Sequence, residues 1–247
     1  MRFTSQTSSG GVTEQFFTLT FTFGEFPGVL WTPDGAAGVR PLILMGHGGG
    51  QHKKAPGIVA RARRFAAECG FAVAAVDAPG HGDRPRNEEH NRIIAEMRTR
   101  AQTGGELTPL LAGFHALLAG QTVPEWQAVL DVVQELDHVG AGPVGYWGIS
   151  MGCALGVPFI AAEPRIRATV LGLNGAETSA EAAAQITVPV EFLVQWDDEW
   201  VPRAASLALF DLFASAEKTL HANPGKHADL PVFELDSALR FFTRHLG

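Results

Sequence analysis

A rhythm runs through this chain and limits the folds open to it. Five short runs of almost unbroken apolar residues, at 42–45, 71–76, 144–149, 168–173 and 190–196, are separated by stretches that carry helical periodicity or helical composition. The clearest helical stretch places Ile58, Ala62, Phe65, Ala66 and Cys69 on one face and Arg61, Arg64 and Glu68 on another. A strand that is apolar on both faces must be covered on both faces, and successive parallel strands need a crossover long enough for a helix. The pattern therefore predicts an α/β chain with a mostly parallel sheet between two layers of helices.

The ends of the sheet read differently. Phe17, Leu19, Phe21 and Phe23 alternate with Thr18, Thr20 and Thr22, the period of a half-buried strand, and Val29-Leu30-Trp31 follows before the turn Pro33-Asp34-Gly35. This predicts an antiparallel hairpin at one edge. Residues 1–13 are polar and predict a loose arm. A last strand at 218–221 brings the expected total to eight, and a closing helix buries Leu235, Ala238, Leu239, Phe242 and Leu246. Residues 84–122 break the rhythm. Helices are expected over 91–102 and 106–118, separated by Thr103-Gly104-Gly105, with a third from Pro124 to His138 restoring the alternation. The expectation is one domain over 1–247, with 84–122 as a helical insertion or small lid.

Composition narrows the function classes. At 247 residues and 46% hydrophobic content the chain can bury one substantial core. A net charge of −7 argues against a nucleic-acid partner. No run reaches the roughly 18 apolar residues of a membrane span, and no secretory signal pattern opens the chain, so a cytoplasmic location away from membranes is expected. The two cysteines, Cys69 and Cys153, stand in small apolar contexts and suggest no disulfide.

Chemistry concentrates at Gly148-Ile149-Ser150-Met151-Gly152, between a strand and a helix. This is the G-x-S-x-G pattern of a nucleophile elbow, whose glycines let strand and helix pass closely while the serine sits on a strained turn. A serine hydroxyl needs a base, and the base needs an orienting acid. An acidic turn, Asp197-Asp198-Glu199, follows the strand at 190–196, and His227 lies in a turn before the last helix. Both fall at the carboxyl end of a parallel sheet, where ligand sites gather. His221 is the rival base, and His115 has no evident structural duty. A metal site from His47, His81 and Asp83 lacks any familiar ligand spacing. The glycines at 48–50 match neither common phosphate-binding pattern.

From about residue 14 to 247 the chain resembles the α/β-hydrolase family. The resemblance rests on the elbow, on Asp198-Glu199-Trp200-Val201-Pro202, similar to that family's D-x-x-V-P, and on His47-Gly48-Gly49-Gly50, similar to its oxyanion loop. The segment Asp77-Ala78-Pro79-Gly80-His81-Gly82 is similar to its D-x-x-G-x-G turn. The resemblance implies a serine esterase or lipase-like enzyme, of a dienelactone-hydrolase-like or carboxylesterase-like branch, with Ser150 as nucleophile, His227 as base and Asp198 as acid. Amides of Met151 and Gly49 would form the oxyanion hole, with Trp200, Phe114 and Leu111 lining the pocket. It implies a small-molecule ester as substrate, with no cofactor and no metal. Thioesterase, lactonase, amidase or acyltransferase chemistry would use the same residues, and a ligand-binding regulatory module on this fold is the alternative of another class. Two positions depart from the family pattern: Gln195 stands where a glycine is frequent, and His227 follows Gly225-Lys226 rather than two glycines.

Overall fold

The computed structural model describes residues 1–21 and 24–247. Nine strands among them form one sheet: β1 (Arg2–Ser9), β2 (Val12–Phe21), β3 (Gly24–Pro33), β4 (Leu42–Gly46), β5 (Ala72–Val76), β6 (Val144–Ile149), β7 (Ile166–Gly172), β8 (Val190–Gln195) and β9 (Lys218–Asn223). Their spatial order is β1-β2-β3-β5-β4-β6-β7-β8-β9. The first three strands are antiparallel, β3 joins β5 antiparallel, and every pairing from β5 to β9 is parallel. The expected hairpin is β2–β3, with Phe17 and Leu19 buried. Thr22 and Phe23, which complete the expected alternation, lie outside the described residues, as does the side chain of Phe21.

One expectation fails at the amino end. The arm at 1–13 is largely a strand, which makes nine strands rather than eight. All eight residues of β1 are exposed, so no buried face imprints a period on its sequence. It is held instead by backbone pairing to β2 and by polar contacts such as Gln15 to Gln6 at 3.0 Å.

Helices cover both faces. The helices α1 (Pro56–Cys69) and α7 (Phe233–Leu246) pack on one side, where Trp31, Ile43, Phe65 and Phe242 meet. On the other side α3 (Thr108–Gln134), α4 (Met151–Ala162), α5 (Ala180–Ala183) and α6 (Arg203–Leu212) enclose a core of Trp126, Tyr146, Phe159 and Phe192. Burying each of these aromatic side chains contributes about 2–3 kcal/mol. No helix among the described residues is long and apolar enough to cross a membrane.

The interrupted stretch also differs from expectation. A helix α2 (Glu88–Thr103) starts on an Asn87 cap, whose side chain accepts from His90 N, and ends at Gly104 with φ 71°. The next helix does not stop before Pro124; α3 runs through it for 27 residues. Buried Phe114, Leu118, Thr122, Trp126, Val129 and Val133 keep one continuous face across the proline. That packing outweighs the roughly 3 kcal/mol an interior proline costs. The amino-terminal half of α3 and Ile93 of α2 close over Met151 and Leu155 of α4, so the insertion sits above the elbow helix.

Candidate active site

Ser150 occupies the turn between β6 and α4 with φ 56° and ψ −126°, a conformation that L-residues rarely adopt. The two elbow glycines are required by close approach. A Cβ at Gly148 would stand 2.6 Å from Gly152 O, and one at Gly152 would stand 2.5 Å from Gly46 O. The strained turn is anchored by Ser150 N donating to Gly172 O at 2.9 Å.

Three side chains distant in sequence meet here. Ser150 Oγ lies 2.9 Å from His227 Nε2, and His227 Nδ1 lies 2.7 Å from Asp198 Oδ2. A carboxylate can only accept, so Nδ1 carries the proton and Nε2 accepts from the serine hydroxyl. The other oxygen of Asp198 accepts from Trp200 N at 2.8 Å and Val201 N at 2.9 Å. Burial works against the Asp198 charge, but His227 and the two amides outweigh it and hold the carboxyl below its ordinary value. Asp197, by contrast, is exposed and accepts only a 3.3 Å contact from Gly225 N.

The glycine loop after β4 lies beside the elbow. A Cβ at Gly49 would come within 3.9 Å of Met151 Cβ, and both residues line the same cavity. The loop is braced by His47, whose Nε2 accepts from Ala78 N at 3.0 Å and whose Nδ1 therefore donates to Gly48 O at 2.9 Å. Burial pushes the His47 pKa down to about 4, which keeps the ring neutral. The turn after β5 is itself fixed, since Asp77 takes Lys53 Nζ at 2.7 Å and a Cβ at Gly82 would strike its carboxylate at 2.3 Å. Asp83 is likewise engaged by Lys53, and His47, His81 and Asp83 are not a set whose donor atoms gather for a metal among the described residues.

A cavity of about 390 Å³ opens over Ser150. Its wall includes Ile94 and Met97 of α2, Leu111 and Phe114 of α3, and Trp200 of the acid loop, whose ring centroid is 4.7 Å from that of His227. His115 shares the wall, and burial lowers its pKa to about 4. His221 is elsewhere, bound to Glu234 at 2.7 Å. Two neighbours of His227 escape a reading of motifs. Glu199 Oε2 accepts from His227 N at 3.0 Å, and Gln195 Nε2 donates to Lys226 O at 3.1 Å and Pro224 O at 3.4 Å. Three consecutive acids in one turn and a polar residue ending an apolar strand are the only local signals for them.

No family model matches the chain, and no curated protein matches it. Solved structures do. A PEG-bound complex of a cold-adapted esterase from an Arctic intertidal metagenomic library is 32% identical over 100% of both chains, with a TM-score of 0.82. The native structure of such an esterase from that source is 30% identical, again over 100% of both chains, with a TM-score of 0.77. The chain belongs to the α/β-hydrolase esterase family. An acetyl xylan esterase from Paenibacillus sp. R4, 14% identical over 99% of this chain and 88% of its own, has a TM-score of 0.70 and shares the fold with this esterase.

Proposed function

We propose that this esterase cleaves carboxylic esters of small to medium size through an acyl-enzyme formed on Ser150. The observation that carries the reading is the hydrogen-bonded line from Ser150 through His227 to Asp198 on the floor of a cavity of about 390 Å³. A pocket of that volume suits a small or medium ligand. As Ser150 Oγ attacks the ester carbonyl, His227 Nε2 takes its proton, and Asp198 stabilises the imidazolium. The amides of Met151 and Gly49 receive the developing oxyanion, and the glycine leaves room for a carbonyl to reach the main chain. The imidazolium returns the proton to the departing alcohol. A water then follows the same path and frees the acid.

Residues 84–122, in a single domain, serve in this reading as a cap that sets acyl preference through Leu111 and Phe114, with Trp200 lining the same cavity. A reducing, cytoplasmic location fits the two free thiols, Cys69 and Cys153. The deciding experiment labels the protein with a fluorophosphonate, maps the adduct, and measures rates on p-nitrophenyl esters of increasing chain length. The adduct is expected on Ser150 alone, with turnover of short and medium chains. An unlabelled Ser150, or labelling without turnover of any ester, overturns the reading in favour of a binding module.

A further inference from the structure

Six acidic residues are buried as whole residues among the described residues, and four of them meet a lysine or arginine. Glu14 is paired with Lys54, Asp77 with Lys53, Glu125 with Arg84 and Glu163 with Arg165. Glu191 and Glu234, each 3% exposed, are the exceptions: no lysine or arginine among the described residues lies within ion-pair distance of either. They share one imidazole. His221 Nδ1 is 2.7 Å from Glu234 Oε2, and His221 Nε2 is 3.9 Å from Glu191 Oε2. Neutral donors complete part of the network, Asn223 Nδ2 to Glu234 Oε1 at 2.8 Å and Ser237 Oγ to Glu191 Oε2 at 2.8 Å. The remaining oxygen, Glu191 Oε1, is buried with no hydrogen-bond partner. Two buried carboxylates share one imidazole, Arg240 acts on Glu191 only from beyond ion-pair distance, and burial pushes the Glu191 carboxyl up. Holding a buried carboxylate ionised without a close cation is costly.

We propose that Glu191, His221 and Glu234 bind a divalent transition-metal cation that ties β8, β9 and α7 together. One donor atom from each residue lies within 4.8 Å of the others. Side-chain rotation need only close those gaps to the roughly 3.4 Å between ligands that 2.0–2.1 Å bonds and tetrahedral angles require. One imidazole with two carboxylates is a donor set for zinc or manganese, and carries more nitrogen than calcium or magnesium prefers. The cation would also supply the positive charge that the other four buried acids obtain from lysine or arginine. A hollow of about 300 Å³, lined by His221, Glu234, Ser237 and Arg240, opens beside the cluster and gives a path for the ion and room for water ligands. None of the three residues lines the cavity over Ser150, so the site is separate from the candidate active site.

The test uses the full chain after treatment with a chelator, and Zn²⁺ or Mn²⁺ alone as the probe. Calorimetric titration is expected to give one saturable equivalent, with a rise in melting temperature that grows with free cation. Diethyl pyrocarbonate footprinting of the unmodified sequence locates the site without any variant: bound cation should protect His221 and leave the other histidines as reactive as before. Glu191→Gln removes a ligand. Losing even an outer partner of a ligand costs ~10–100-fold in affinity, so a loss of ~100-fold or more is expected here. Absence of saturable binding by either cation overturns the proposal. So does protection that maps to His227 or another histidine instead of His221, or a Glu191→Gln protein that binds as tightly as the parent.

Discussion

Replacing Asp198 by asparagine changes one acceptor into a donor, and the surrounding bonds determine how the triad responds. Oδ1 of Asp198 accepts from the amides of Trp200 at 2.8 Å and Val201 at 2.9 Å, while Oδ2 accepts from His227 Nδ1 at 2.7 Å. Asparagine has only one oxygen to serve both sides. Turning its NH₂ toward the two amides would leave both without an acceptor, at about 1–3 kcal/mol each. The oxygen therefore stays on the amides and the NH₂ faces His227. Nδ1 must then accept, the ring proton moves to Nε2, and the nitrogen 2.9 Å from Ser150 Oγ becomes a donor that cannot take the hydroxyl proton. By the precedent of serine triads, kcat should fall on the order of 10⁴-fold, about 5 kcal/mol of transition-state stabilisation. KM should hold, because no cavity wall is altered. The assay is initial-rate hydrolysis of p-nitrophenyl butyrate, run beside Asp197→Asn, which should stay within roughly twofold of the parent as an exposed substitution. An Asp198→Asn enzyme that keeps a tenth of the parental kcat, or an equal loss in Asp197→Asn, refutes the reasoning.

Ser150→Ala should lower kcat/KM by on the order of 10⁴-fold or more while leaving the melting temperature within a few degrees, since alanine carries the same Cβ at φ 56°. Leu111→Ala and Phe114→Ala should change the ranking of acyl chain lengths more than the rate on p-nitrophenyl acetate; unchanged ranking with lowered stability would remove the cap from specificity. Stability should fall with acid. The unfolded chain takes up protons on His47 and His115 below 6.5, whereas the folded rings resist until about 4, so their contribution is complete above pH 6.5 and is lost as pH drops toward 4. For His47, 2% exposed, the full loss amounts to roughly 3 kcal/mol, of which urea titrations at pH 7.5 and 5 should reveal about 2 kcal/mol. His115→Asn should flatten part of the slope.

The central sheet was legible because β4 and β5 are buried on both faces and carry no alternation that could place them at a surface. Legibility failed where local sequence and tertiary contact disagree. β1 holds its place through main-chain hydrogen bonds, which leave no trace in side-chain period. Pro124 carries the local signal for a helix start, and only the continuous buried face from Phe114 to Val133 shows why α3 passes through it. The buried acids behave likewise: nothing within 190–195 announces that Glu191 meets His221 and Ser237, since those contacts cross 30 and 46 residues of chain.

At the candidate site the glycines made Ser150 readable, because Gly148 and Gly152 are demanded by main-chain contacts that admit no Cβ. The choice of Asp198 over Asp197 came from resemblance, and side-chain direction is what separates them, with one acid on His227 and the other in solvent. The two departures from the family pattern look independent in sequence, yet they prove to be joined. Gln195 ends β8, and its amide crosses to the carbonyls of Pro224 and Lys226, the two residues that flank Gly225. A glycine at 195 would have no side chain to reach them. Main-chain bonds from Trp196 N to Asn223 O at 2.7 Å and from Asp197 N to Gly225 O at 3.1 Å run alongside. The acid loop and the base loop are thus fastened along both main chain and side chain, with Glu199 closing the far end on His227 N. Distances of 2.7 and 2.9 Å along the line from Asp198 to Ser150 depend on two loops keeping their separation, and a loop carrying a non-glycine residue before the histidine gains from a brace that a glycine at 195 could not provide.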